Sequence, residues 1–281
     1  MKKIIALFLA ALMIVFMVSC NKSEEENKDD SVVEAEQIVK IYTDAKTGDK
    51  FTYDVNEEGE YEITGFTSAT ETPHAIEVPK SIDNITVTGV GAEAFKAKNQ
   101  ISEIVIPETV KYIGQFAFYG CIYLNKVTMT DNVERLGEGA FKGCIALKDI
   151  KLSKNIKDIA DFAFADCVAL ESITLSDSAT EISDGAFFGC SALKSIELPS
   201  TLKTIGKGAF WGNSALDEIT IPASVESIGG YTGAAKDDAS LDEYAFSVNN
   251  NDDFVIVGVA ESVAHKYAVK YGHEFVTATA N

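Results

Sequence analysis

The 281-residue chain has little of what most enzymes use for acid–base work: only His74, His265 and His273 supply imidazole. His74 falls beside the first coil of a repeat and the other two near the C terminus, and none belongs to a serine-nucleophile elbow. Ser214 in Gly212-Asn213-Ser214 lies in a link between coils, without the strand-turn-helix setting that activates such a serine. A glycine-rich phosphate loop, a histidine-pair zinc motif and a twelve-residue calcium loop are also missing. No catalytic residue, metal ligand or cofactor is therefore expected, although the acidic loops leave a passive calcium site open. Basic residues are scarce as well, 24 against 43 acidic ones, for a net charge of -19. That imbalance excludes nucleic acid as a partner and electrostatic adhesion to an anionic membrane. One long uncharged run exists, Ile4 to Ser19, shorter than the roughly 20 residues that span a bilayer comfortably.

That run follows Lys2 and Lys3 and ends at Cys20, before a polar, acidic stretch; the order is that of an export signal. Met17-Val18-Ser19-Cys20 resembles a bacterial lipobox. The resemblance implies loss of residues 1–19, a lipid on Cys20, and a protein held to the outer face of the bacterial cell membrane or at the cell surface. Its membrane partner is then reached through the lipid alone. Ser23 to Asp30 contains no apolar residue and cannot pack, so residues 20–47 are expected to form a flexible tether.

Phe95, Phe118, Phe141, Phe164, Phe187 and Phe210 recur every 23 residues without a slip. Ladders of alanine (Ala94 to Ala209), of branched residues (Ile104 to Ile219) and of Ile113 to Ile228 share the period, which marks a solenoid. Within each coil an Ile-x-Ile pair places two side chains on one face of a short strand, and stacked strands about 4.8 Å apart form a parallel sheet. Pro107, Pro199 and Pro222 follow such strands and stop them. The expected architecture is an α/β-class repeat: a right-handed leucine-rich-repeat solenoid of 23-residue coils over residues 76–253, with an insertion at 230–242. Residues 48–75, with alternation at Phe51–Val55 and Tyr61–Thr64 around Gly59, read as an N-terminal β-hairpin cap. Residues 254–281 read as a C-terminal cap, a strand at Phe254–Val257 and a helix from Glu261 to Tyr271 ended by Gly272.

The unit, closing on Ile-Gly-x-x-Ala-Phe-x-x-Cys with seven Ala-Phe steps, resembles the BspA-like leucine-rich repeats of bacterial and protist surfaces. The likeness runs from about Tyr61 to Phe275. It implies a curved right-handed solenoid, export, and frequent roles in adhesion to host proteins or other cells, with no shared catalytic residues. Three departures are visible: Asn213 replaces the cysteine, Asn84 stands where glycine is common, and the coil after Ile228 is 13 residues too long before Ala245-Phe246.

Cys121, Cys144, Cys167 and Cys190 continue the period and should stand in a row. Their placement favours small buried side chains at a bend; disulfides between neighbouring coils stay open, while a linear row does not converge as tetrahedral zinc requires. For ligand binding, Phe188 and Trp211 occupy adjacent coils at a position where the repeat demands no aromatic, and Tyr231 lies in the glycine-rich insertion. These three form the first candidate site, against the alternative that the aromatics merely cover the coil under the insertion. The strand face, with Lys126, Lys151, Thr174, Glu197 and Thr220, is a second, polar candidate. The expected function is a non-catalytic cell-surface binding module, an adhesin for an unidentified protein or glycan of a host or neighbouring cell. The alternative is an envelope scaffold or self-associating spacer; the oligomeric state stays open.

Overall fold

The structure, a computed structural model, describes residues 39–229, 244–246 and 254–278. Cys20, the signal sequence, Tyr231 and the insertion at 230–242 lie outside the described residues. The coils wind as a right-handed leucine-rich-repeat solenoid of 23-residue turns, the hand that a right-twisted strand imposes on parallel crossovers.

Each coil contributes to three lanes. The first holds the Ile-x-Ile strands, pairing in parallel with Ile104 beside Val127, Ile150 beside Ile173 and Ile219 beside Ile256. Ile104 and Ile106 point inward and are fully buried, whereas Val105 between them is exposed. A second lane of two-residue strands carries Ile113, Leu136, Ile159, Ile182, Ile205 and Ile228 into the core. The third lane is the Ala-Phe turn. Its phenylalanines are fully buried and stack coil on coil from Phe95 to Phe246, with centroids 5.0 to 5.7 Å apart and planes within 16°. A single coil cannot bury such a ring; its neighbours on both sides do so, and each burial is worth about 1.5–3 kcal/mol.

At the N terminus, β1 (Lys40–Thr43), β2 (Lys50–Val55) and β3 (Tyr61–Thr67) form an antiparallel sheet. The last of these pairs in parallel with Ile85–Val90, so the cap continues into the second lane. Phe51 and Phe66 cover the first ring of the stack, 6.3 and 5.5 Å from Phe95. Strand β1 falls within the stretch expected as tether. Lys40-Ile41-Tyr42-Thr43 pairs along β2, and Tyr42 rests on Phe51 at 6.2 Å, which gives these residues the backbone and aromatic contacts a tether lacks.

Asp49, 1% exposed, pins this cap to the first coil. Its carboxylate accepts from Ala69 N–H at 2.9 Å and lies 2.9 Å from His74 Nε2, while His74 Nδ1 lies 3.1 Å from the Thr72 carbonyl. Both ring nitrogens thus face acceptors, the arrangement a protonated imidazole satisfies. Burial opposes charge on both groups, yet the hydrogen bonds outweigh it, holding Asp49 below the ordinary carboxylate value and His74 above the ordinary histidine value.

At the far end, strands Val255–Gly258 and Glu274–Thr277 extend the first lane. Helix α1 (Val263–Tyr271) packs Ala264, Tyr267 and Ala268 inward. Ser262 caps its start by accepting from His265 N–H, and Gly272 ends it at φ 78°. Tyr267 meets Phe246 at 5.9 Å and closes the stack.

Candidate binding face

The turn lane is held by main-chain bonds between coils. The amides of Phe118, Phe141 and Phe164 donate to the carbonyls of Ala140, Ala163 and Ala186, each at 2.8 Å. Among the described residues, two left-handed residues make the turn in each coil from Glu93 to Gly212. At the first of these positions Gly139, Gly185 and Gly208 take φ near 60°, but Phe116 and Phe162 hold φ 53°. A phenylalanine there costs about 1–2 kcal/mol of backbone strain. The following coil makes room for it: a β-carbon on Gly139 would lie 2.3 Å from the Phe116 ring, and one on Gly185 2.3 Å from the Phe162 ring. Each strained aromatic therefore rests on the glycine of the next coil.

Partly exposed aromatics lie outside the buried stack at this position and three residues after it. Tyr119, Phe162, Phe188 and Trp211 are 38, 38, 39 and 36% exposed. Lys142 Nζ stands 5.1 Å over Phe162, Phe116 meets Tyr119 edge-on at 5.9 Å, and Trp211 lies 6.5 Å from Tyr244. Tyr123, Ile145 and Val168 add exposed apolar surface one lane over. The left-handed conformation is not confined to aromatics: Glu93 holds φ 58° at the same repeat position, and Phe116 and Phe162 are accommodated there by the glycine of the next coil. Phe188 and Trp211 are brought together on successive coils; Tyr231 lies outside the described residues. Phe116, Phe162 and Tyr119 enlarge the candidate face. The sequence signal for Phe116 and Phe162 is a phenylalanine at a repeat position that holds Gly139, Gly185 and Gly208 in other coils.

The strand face differs. Lys126, Lys151, Thr174, Glu197 and Thr220 are all exposed, and Lys126 pairs with Glu103 at 3.2 Å, an exposed contact of little energetic weight. Ser195–Glu197 forms no strand, so the lane lapses between Ser172–Thr174 and Glu218–Thr220. Cavities of about 420 and 350 Å³ open on either side, one over Ile173 and Asp177, the other over Ile196 and Glu218. This face offers hydroxyls and carboxylates but no large exposed aromatic.

The four cysteines are free and buried. Each Sγ donates to a phenylalanine carbonyl of the preceding coil at 3.0 to 3.2 Å. Burial pushes the Cys121 and Cys167 thiols up to about 12, so they stay protonated near neutral pH. Among the described residues, no three His, Cys, Asp or Glu side chains converge as metal ligands would.

The family model described as BspA type leucine rich repeat region matches six copies, over residues 88–181 and 116–237. The chain belongs to the BspA-type leucine-rich-repeat family. Among solved structures, a leucine-rich-repeat protein of T. pallidum is 25% identical, over 85% of this chain and 99% of that one, with a TM-score of 0.61. A Bacteroides ovatus leucine-rich-repeat protein is 25% identical over 81% and 66%, TM-score 0.51. One from Eubacterium ventriosum is 24% identical over 67% and 51%, TM-score 0.52. No curated protein sequence matches significantly. In this BspA-type chain the repeat fixes the buried stack, whereas the exposed aromatic row varies from coil to coil: Lys142, Ala165, Phe188 and Trp211 occupy one lane.

Proposed function

We propose that the protein is an exported surface binding module, an adhesin-type receptor for a protein or glycan of another cell, tethered by a lipid on Cys20. The turn-lane aromatics are its recognition face. The observation that carries this reading is the row from Tyr119 to Trp211, exposed on a rigid stack. Flat, amphipathic rings on a fixed backbone lose little entropy on binding and are the commonest anchors of recognition sites. Membership of the BspA-type family and the export-like N terminus support a place at the cell surface.

The division into signal (1–19), tether, N-terminal cap, solenoid and C-terminal cap is part of the same proposal. In it, the polar stretch after Cys20 holds the recognition face away from the lipid surface. Protein and glycan arrays probed with the full chain test the reading, with Trp211, the single tryptophan, as a fluorescence reporter. A saturable partner that changes Trp211 emission is expected. Ordered self-association with no heterologous partner would point to the scaffold instead. Intact mass of the membrane-extracted protein should show a lipid on Cys20 and no residue before it; a Cys20→Ser protein that stays equally membrane-bound would contradict the anchor.

A further inference from the structure

Of the chain's 24 basic residues Arg135 alone is an arginine, and it stands at a cleft between the turn of the N-terminal hairpin and the second lane. The cleft, about 510 Å³, is the size of small-ligand sites and is also lined by Glu57, Glu58, Lys111, Tyr112 and Glu134. Arg135 sits over an aromatic ring: its Cζ lies 5.2 Å from the centre of the Tyr112 ring. That ring is itself fixed. Its hydroxyl donates to Glu62 Oε2, and the ring lies across Gly89, where a β-carbon would meet Cζ at 2.1 Å. Glu62 in turn fills the space over Gly91, where a β-carbon would stand 2.6 Å from its Oε1. Two glycines thus admit the tyrosine and its carboxylate, and the tyrosine orients the guanidinium.

The charges of the cleft are only partly matched. Lys111 is taken up by Glu60 at 3.3 Å and Glu58 at 3.8 Å. Among the described residues, Arg135 has no carboxylate partner, and Glu57 and Glu134 have no cation. A guanidinium beside a ring, with no carboxylate on its fork, suits a planar carboxylate, which its N–H groups can meet in pairs. A simple anion would meet the neighbouring glutamates and a net charge of -19. A ligand that also carries an ammonium group relieves those glutamates while its carboxylate meets the arginine.

We propose that this cleft binds a zwitterionic ligand of the amino-acid or short-peptide class, its carboxylate on the Arg135 fork and its ammonium between Glu57 and Glu134. The site is separate from the aromatic row and stands or falls independently of it.

Because Arg135 is the only arginine, its Nε–H resonance in the full chain is a single assignable reporter. Glycylglycine should shift it saturably. Glycylglycinamide, which lacks the carboxylate, and N-acetylglycylglycine, which lacks the ammonium, should each bind about tenfold more weakly or worse, one charge-assisted contact having been removed. Calorimetry on Arg135→Lys, which keeps the charge but loses the fork, should show a similar loss at an unchanged urea midpoint. The proposal is overturned if glycylglycine gives no saturable shift, if the N-acetyl compound binds as well as the dipeptide, or if Arg135→Lys binds with undiminished affinity.

Discussion

Replacing Asn213 by cysteine should stabilise the protein. Asn213 is fully buried, and neither its amide nitrogen nor its oxygen has a hydrogen-bond partner. It stands at the fifth position of a lane in which four thiols each donate to a phenylalanine carbonyl one coil back. In register, a thiol introduced at this position would address the Phe187 carbonyl as Cys190 addresses that of Phe164. A buried, unsatisfied amide costs about 1–3 kcal/mol, and a thiol in its place is both less polar and able to make the bond. The expected gain for Asn213→Cys is therefore about 2 kcal/mol. In a folded region of this size that raises Tm by roughly 4–8 °C. Urea denaturation followed by Trp211, two residues away, would measure the change, and the converse Cys190→Asn should lose a similar amount. If Asn213→Cys is neutral or destabilising while Cys190→Asn is tolerated, the lane does not work as a register of thiol-to-carbonyl bonds.

Phe164→Ala, in the middle of the stack, should cost about 3–5 kcal/mol by chemical denaturation, and exposed Thr174→Ala no more than about 0.5 kcal/mol; equal midpoints would contradict the core. Gly185→Ala places a β-carbon 2.3 Å from the Phe162 ring at a left-handed residue, and should cost about 1–3 kcal/mol with altered Phe162 ring resonances in NMR. The cap should depend on pH through Asp49 and His74. His74 is raised, so its contribution is full below the ordinary histidine value of 6.5 and is lost as pH rises through the higher folded value. Asp49 is lowered, so its contribution is present above the ordinary 3.8 and is lost as pH falls through the lower folded value. The destabilisation caused by His74→Gln, measured by urea midpoints, should be larger near pH 5.5 than near pH 8.5, and a difference independent of pH would remove the charged pair.

The 23-residue period made the buried stack legible, because a side chain shared between coils must recur in register: Phe118, Phe141 and Phe164 all lie where the period puts them. The hairpin at Gly59 and the helix ended by Gly272 were legible for a local reason, a left-handed glycine at a chain reversal. Other features carry no such signal. Two-residue strands such as Tyr112–Ile113 are too short to alternate, and the lapse at Ser195–Glu197 occurs in a Ser-Ile-Glu sequence little different from Glu218-Ile219-Thr220, which does pair. Strand β1 depends on β2 lying beside it, which composition does not reveal. At the candidate face, Phe188 and Trp211 stand out as aromatics the repeat does not need. The place of Phe162 became clear only with its φ and with Gly185 beneath its ring.

The central claim, that the turn-lane aromatics recognise the partner, is tested most directly by the double replacement Phe188→Ala, Trp211→Ala against the partner found on the arrays. Both rings are about a third exposed, so the folded state should survive, as judged by circular dichroism and the urea midpoint. Paired aromatic anchors each contribute about 2 kcal/mol at such sites, so affinity should fall by about a thousandfold. Unchanged affinity in a folded double variant would contradict the account.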